Sequence, residues 1–169
     1  MATFYVSAQT GNDSDDGTSV ANAKATLQAG IDLVATAGDI VYVAPGTYRE
    51  TVNCTNSVNG QANDHVKIIG DPDCEVFVDE EKGIVRITAC DVNEVHSTDA
   101  RIVYANKGMH EFHNFHVDGV GSNIPTSTTI FNKNGMESST DGRNLAVNCM
   151  VQNAPVAFDK FNTHRCIGM

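Results

Sequence analysis

The fold follows from the stretch Gly38-Asp39-Ile40-Val41-Tyr42-Val43-Ala44-Pro45-Gly46-Thr47-Tyr48-Arg49-Glu50, which reads as a short strand, a Pro-Gly turn and a second strand. Upstream, Phe4-Tyr5-Val6-Ser7 alternates like a first strand and runs into a polar loop, Thr10–Ser19. Asn22 is then placed to cap a helix that continues to about Thr36. The predicted order is strand, polar loop, short helix, strand, turn and strand.

Short apolar segments continue along the chain, separated by turns rich in Asn, Asp and Gly. The predicted strands are Ile40–Val43, Thr47–Val52, His65–Gly70, Cys74–Asp79, Gly83–Ala89, Arg101–Ala105, Phe112–Val117, Thr128–Phe131, Asn144–Cys149, Val156–Phe158 and His164–Ile167. No second long helical pattern interrupts them, which argues against a fold of alternating strands and helices.

Two later segments repeat this pattern. Asp64–Pro72 is an apolar strand that ends in a Gly-Asp-Pro turn, and Phe112–Gly119 is an apolar segment with Asn114 near its middle. Asn tolerates a left-handed backbone, so Asn114 is predicted at a bend between two sheets. Together with the N-terminal order, these segments resemble the right-handed parallel β-helix proteins of the pectate-lyase-like superfamily.

The resemblance implies an all-β fold, a right-handed parallel β-helix with a short N-terminal capping helix. Residues 1–38 would form the first strand, the polar loop and the capping helix, and residues 39–169 would form the coils. The strand-like segment 162–169 would leave an open edge, so we expect the coils to continue beyond it or a partner to cover it. A β-sandwich is the alternative fold.

The bulk properties restrict the partners. The 169 residues carry a formal charge of −10, which argues against nucleic acid, since phosphate binding needs clustered Lys and Arg. No apolar run reaches the roughly 18 residues of a membrane span. Met1-Ala2-Thr3 leads directly into a strand with no visible signal peptide, so assembly in the cytoplasm is expected.

Five cysteines, at positions 54, 74, 90, 149 and 166, have no metal-site spacing, and several gaps between them approach one coil of a β-helix. Buried cysteines stacked in neighbouring coils are the favoured interpretation. A disulfide or a reactive thiol is the alternative.

Two polar clusters contain side chains that can bind a metal ion. The loop Asn12–Thr18 carries several oxygen ligands but has Ala23 where a calcium loop of the EF-hand type needs Glu, so a solvated turn is expected. His110, His113 and His116 lie in strand-like sequence rather than at helical zinc spacing. Outward-facing surface histidines are expected there, and His110 and His116 would share one face unless Asn114 breaks the alternation.

Carboxylates that could act in acid–base catalysis on a polysaccharide are candidates by residue type only. They are Asp73, Asp79, Glu80, Glu81, Asp91, Glu94 and Asp118. Asp79–Lys82 is most simply a solvated turn, and Tyr48 and Tyr104 are either sugar-stacking rings or packed residues. The catalytic signatures of polygalacturonase-like hydrolases and pectate lyases are absent, so no catalytic, cofactor-binding or metal residue and no cofactor is assigned.

The leading functional hypothesis is a bacteriophage virion protein, such as a tailspike or tail-fibre-like component, that serves attachment or display. By that resemblance its partners would be other virion proteins, copies of itself in a homotrimer and a cell-surface polysaccharide. It would be assembled in the host cytoplasm. The absence of these catalytic signatures argues against enzymatic activity but does not exclude it. The alternatives are a polysaccharide lyase or glycoside hydrolase on the same scaffold, and a bacterial surface adhesin.

Overall fold

A computed structural model describes residues 1–88, 101–119, 134–138, 144–154 and 156–168. A single short helix, α1 (Leu27–Asp32), and 15 strands are found in these ranges. In chain order the strands are β1 (Thr3–Val6), β2 (Ile40–Val43), β3 (Gly46–Arg49), β4 (Val52–Asn53), β5 (Val66–Gly70), β6 (Val85–Thr88), β7 (Arg101–Ala105), β8 (His110–His113), β9 (Phe115–Asp118), β10 (Asn134–Ser138), β11 (Asn144–Val147), β12 (Met150–Gln152), β13 (Val156–Asp159), β14 (Phe161–His164) and β15 (Ile167–Gly168).

The strands form three parallel sheets. Sheet A has the order β1-β2-β5-β8-β11-β14, sheet B has the order β15-β12-β9-β6-β3, and sheet C has the order β13-β10-β7-β4. Neighbours within a sheet come from successive turns of the chain, so each coil adds one strand to each sheet. This is the predicted right-handed parallel β-helix, and parallel pairing throughout the three sheets excludes the β-sandwich.

The core is a set of inward-facing side chains stacked from coil to coil. In sheet A, Val41, Ile68, Phe112 and Ala146 occupy equivalent register positions on four successive strands. All four are fully buried, because alternate residues of each strand point into the narrow interior. Each coil therefore gains its apolar burial mainly from the coil before it and the coil after it.

The helix α1 covers the N-terminal end of this stack, as predicted, but it is shorter than expected: it begins at Leu27 and already ends at Asp32, not near Thr36. Its N-cap is Thr26, whose hydroxyl accepts from the amide of Ala29, whereas Asn22 ends a single 3₁₀ turn, Val20–Asn22. Leu27 and Ile31 are fully buried against the core. Gly30 permits this contact, since a Cβ there would lie 2.2 Å from a methyl group of Val6.

Several predicted strands differ from the structure. Thr47–Val52 is divided between β3 and β4, and His164–Ile167 runs from the end of β14 across a bend to the start of β15. Cys74–Asp79 is not a strand: the segment bends over the outer face of sheet A, where the ring of Phe77 packs edge-on against Tyr5 at 6.2 Å. The Asp71 carboxylate fixes this bend by accepting from the amides of Glu75, Val76 and Phe77. Thr128–Phe131 falls outside the described residues.

The bend between sheets A and B is made by single residues with a left-handed backbone. Asn114 has φ 63° and Asn148, one coil later, has φ 51°. The side chain of Asn148 donates to Asn114 Oδ1 at 3.0 Å, and Asn114 donates to the carbonyl of Gly70 at 3.0 Å. The predicted bend at Asn114 is confirmed, and it divides the predicted strand Phe112–Val117 into β8 and β9.

Candidate functional site

A row of polar side chains runs across the outer face of sheet C. Asn53 pairs with Tyr104, Tyr104 with Glu137, and Glu137 with Asp159, each in register on neighbouring strands. The residues directly before them, Val52, Val103 and Met136, are buried in the core, so the row points outward. Tyr104, Glu137 and Asp159 are each half-buried.

Within this row, Glu137 and Asp159 are the two residues whose side chains could take part in catalysis. Neighbouring strands lie about 4.8 Å apart, so the two carboxylates project from the sheet side by side. Two carboxyl groups at roughly 5 Å can divide the roles of acid and nucleophile, as in retaining glycosidases. Neither residue was among the carboxylates selected from the sequence. The available signal was that each directly follows a large apolar residue, Met136 or Phe158, of a short strand.

A second polar network lies on the outer face of sheet B. The Asp118 carboxylate forms an ion pair with Arg86 and accepts from Gln152 Nε2 and Asn153 Nδ2, both at 2.9 Å. The Asp118 side chain is only 2% exposed, whereas Arg86 is 42% exposed. Of the candidate carboxylates within the described ranges, Asp118 is the one that lies in a network of several polar side chains.

A groove of about 260 Å³ follows the bend between sheets A and B. Its lining includes the apolar residues Ile84, Met150 and Ile167 together with His116 and Arg165, and the described part of the lining has no carboxylate. Ile84 and Ile167 are 63% and 54% exposed. An apolar concave surface with a few polar groups is typical of ligand sites, and this one adjoins the polar network of sheet B through His116.

The histidines depart in part from the expectation of surface residues. His110 is fully buried, with its Nε2 2.7 Å from the Ser57 hydroxyl and its Nδ1 3.2 Å from the carbonyl of Gly108. Burial is the main reason that the pKa of His110 falls to about 4. His113 and His116 are half-buried on the outer faces of sheets A and B, because the bend at Asn114 breaks the alternation.

On the outer face of sheet A, one carboxylate joins two histidines. Glu111 Oε1 lies 2.6 Å from His65 Nδ1, and Glu111 Oε2 lies 2.9 Å from His113 Nε2. Burial of Glu111 opposes its ionisation, but the hydrogen bonds from His113 and His65 outweigh it and lower the pKa of the carboxyl. The contact between Glu111 and His65 links the coil of His65 to the next coil.

The loop Asn12–Thr18 is held by hydrogen bonds within the protein. Asp13 accepts from the amides of Ala25 and Thr26, and Asp16 accepts from the amide and hydroxyl of Thr18. These bonds lower the pKa of Asp16, the amide of Thr18 having the largest effect. No group of three potential metal-ligating side chains occurs among the described residues.

The remaining candidates are dispersed. Asp73, Asp79 and Glu81 are exposed in the loop between β5 and β6, whereas Glu80 is partly buried and accepts from the Thr10 hydroxyl at 3.0 Å. Asp91 and Glu94 lie outside the described residues. Tyr48 is a core residue, 2% exposed, whose hydroxyl donates to the carbonyl of Ala44 at 2.9 Å. Burial raises the pKa of that phenol.

The expectation that the cysteines are buried and stacked holds in part: Cys149 and Cys166 lie beside each other on neighbouring coils, whereas Cys54 and Cys74 lie apart from them after β4 and in the loop between β5 and β6. Cys54, Cys74 and Cys149 are buried and Cys166 is half-buried, all as free thiols, and Cys90 lies outside the described residues. Cys149 and Cys166 hydrogen-bond to backbone carbonyls of Phe112 and Ala146, respectively.

The family and the structural relatives of this chain agree with the β-helix architecture. The sequence profile described as rhamnogalacturonase A/epimerase, pectate lyase-like, matches residues 13–168. The chain belongs to this family. The resemblance seen in the sequence is thus confirmed at the level of the pectate-lyase-like superfamily. Among curated proteins no match to the chain was found.

Solved structures share the fold of this pectate-lyase-like chain at low sequence identity. They include the GH136 lacto-N-biosidase from Eubacterium ramulus, with a TM-score of 0.67, 14% identity and coverage of 99% of this chain and 34% of that one. A rhamnogalacturonan lyase has a TM-score of 0.67 at 19% identity, covering 94% and 38%. A pectin methylesterase from carrot has a TM-score of 0.57 at 11% identity, covering 99% and 52%. This chain therefore spans about a third to a half of their length.

None of the helices in the described part of this pectate-lyase-like chain has the length and apolar character needed to cross a bilayer.

Proposed function

We propose that the chain is a glycan-processing β-helix domain that binds a polysaccharide along the outer face of sheet C. The observation that carries this proposal is the in-register placement of Glu137 and Asp159 on neighbouring strands of that face. The family match and the names of the structural neighbours, a lyase, a methylesterase and a biosidase, support a carbohydrate substrate. At these identities the neighbours themselves show the fold alone.

The residues of the row fit hydrolysis of a glycosidic bond. One carboxylic acid would protonate the leaving oxygen, and the other carboxylate would attack the anomeric carbon or activate a water molecule. The close spacing of adjacent strands favours the retaining route, in which the second carboxylate is the nucleophile. Tyr104, in register with Glu137, offers a ring for contact with a sugar and a hydroxyl for orientation.

The test is a comparison of Glu137→Gln and Asp159→Asn with the wild-type chain on a panel of polysaccharides. Rhamnogalacturonan, methylated pectin and oligosaccharides that contain lacto-N-biose are the first substrates, because the family and the neighbours carry those names. Release of reducing ends should fall at least about a hundredfold in each variant. Unsaturated products would indicate a lyase instead of a hydrolase.

Glu81→Gln is the matched control, since Glu81 is an exposed carboxylate in the loop between β5 and β6. It should retain full activity. Wild-type activity in both Glu137→Gln and Asp159→Asn would overturn the assignment of the pair.

The virion role predicted from the sequence has no support in these comparisons and remains a prediction, together with the homotrimer, the virion partners and assembly in the host cytoplasm. An attachment protein on this scaffold would bind intact polysaccharide. Binding by the wild-type chain without release of products, combined with a trimeric mass in sedimentation, would favour attachment over hydrolysis.

A further inference from the structure

Cys149 and Cys166 occupy equivalent positions on two consecutive coils. Met150 on β12 pairs with Ile167 on β15, so the cysteines that directly precede them are adjacent. The amide of Ile167 donates to the carbonyl of Cys149 at 3.0 Å, which fixes this register. Each cysteine follows a residue with a left-handed backbone, Asn148 with φ 51° and Arg165 with φ 54°, so the local geometry is the same in both coils.

The two thiols lie together at the bend between sheets A and B. Cys149 is 2% exposed, with its sulfur 3.4 Å from the carbonyl oxygen of Phe112, and Cys166 is half-buried, with its sulfur 3.2 Å from the carbonyl of Ala146. The proximity of the two thiols affects both pKa values: Cys149 lowers the pKa of Cys166, and Cys166, together with burial, raises the pKa of Cys149.

A disulfide needs its two Cα atoms about 4.4–6.8 Å apart and its Cβ atoms turned toward each other. Residues in register on neighbouring parallel strands meet the distance requirement, since the strands are about 4.8 Å apart. Contact between the thiols meets the second requirement. Of the other described cysteines, Cys54 lies at the end of β4 and Cys74 lies in the loop between β5 and β6.

We propose that Cys149 and Cys166 form a reversible disulfide, made by exchange with a small-molecule disulfide such as oxidised glutathione. The Cys166 thiolate attacks one sulfur of glutathione disulfide, forming a mixed disulfide and releasing one glutathione thiolate. Cys149 then gives its proton to the released thiolate and attacks the Cys166 sulfur, which expels the second glutathione. Two protein thiols are oxidised by two electrons, and one glutathione disulfide is reduced to two thiols.

The bond would fasten the last described coil to the coil before it. β14 and β15 lie at the ends of sheets A and B among the described strands, so each has a partner on one side only. Strands at an edge open most readily, and a covalent link to β12 would restrict that opening. This inference does not rest on the proposed glycan-processing role.

The experiment treats the reduced full chain with an excess of oxidised glutathione at neutral pH and then blocks remaining thiols. Non-reducing peptide mapping should find Cys149 linked to Cys166, and dithiothreitol should restore both thiols. Hydrogen exchange at the amides of Asn148 and Ile167, which bond across these two coils, should slow at least about tenfold on oxidation.

Cys166→Ser is the informative variant, because its half-buried position tolerates the change, and it should show neither the link nor the slower exchange. Cys74→Ser is the matched control and should behave like the wild type. A stable glutathione adduct on Cys166, a link to any other cysteine or complete resistance to oxidation would each overturn the proposal. Slower exchange in Cys166→Ser would do the same.

Discussion

The ion pair between Arg86 and Asp118 is diagonal across sheet B. In the register of β6 and β9, Arg86 stands opposite His116 and Thr88 stands opposite Asp118. The guanidinium therefore reaches two residues along the neighbouring strand to the carboxylate. This carboxylate is nearly fully buried and also accepts from Gln152 and Asn153 of the following coil. One carboxylate thus gathers groups from three successive coils.

Asp118→Ala should destabilise the protein by about 1–3 kcal/mol, because the half-buried Gln152 and the exposed Asn153 would lose their shared acceptor and Arg86 its ion-pair partner. Arg86 contributes less to the loss, since it is partly exposed and can return to water. Urea unfolding measures the change. Asp79→Ala, at an exposed position, should shift the free energy of unfolding by less than about 0.5 kcal/mol. Equal effects of the two substitutions would contradict this account.

Asn114→Ala should be more destabilising than Asn114→Gly. Ala must adopt the left-handed backbone at a cost of about 1–2 kcal/mol, whereas Gly adopts it freely, and both lose the side-chain bond to Gly70. The same two substitutions at Asn63, an exposed turn residue without positive φ, serve as the control. If Asn114→Ala were more stable than Asn114→Gly, the role assigned to the left-handed backbone at this bend would be refuted.

His110 should make stability depend on pH between the ordinary histidine pKa of 6.5 and its folded value of about 4. In that range the unfolded chain binds more protons, so stability is complete above the unfolded pKa and falls as the pH drops through the folded one. The loss should approach roughly 3 kcal/mol. Urea titrations across this range check it: His110→Asn should flatten the dependence, and His164→Asn, at an exposed position, should leave it in place.

Glu50→Ala should destabilise the capping helix by about 1–2 kcal/mol. The Glu50 carboxylate accepts from the first two helical amides, those of Leu27 at 2.7 Å and Gln28 at 2.9 Å. Without it these donors lose their partner at a half-buried site. The test compares the thermal unfolding midpoints of Glu50→Ala and of the control Glu75→Ala, which changes an exposed residue. Matching midpoints would show that α1 does not depend on this contact.

Much of the fold could be predicted because its signals are local. The Pro-Gly turn, the apolar strand of residues 66–70 and the bend at Asn114 depend on backbone preferences that short segments reveal. The predicted helix start at Asn22 was wrong, because Ser19 caps a 3₁₀ turn that ends at Asn22 and Thr26 caps the helix itself. Asp13 favours the later start by holding the amide and hydroxyl of Thr26, a contact from a distant part of the sequence.

The candidate site could not be predicted in the same way. Glu137 and Asp159 become neighbours only through the register of β10 and β13, and coils of unequal length hide that register in the sequence. The inward position of His110 follows from ordinary alternation with Phe112, two residues later, but it was missed because histidine is an unusual core residue. Asp118 was selected by residue type, but its partners on the neighbouring coils were invisible.

The strand order of the three sheets makes the molecule a one-dimensional array of rungs. Strand pairing joins each rung only to the one before it and the one after it, so the energetic coupling is between nearest neighbours. In such an array the effect of a substitution fades with distance along the axis, and unfolding can spread from either end. Rungs could accordingly be gained or lost by duplication or deletion while the geometry of every remaining rung stays the same.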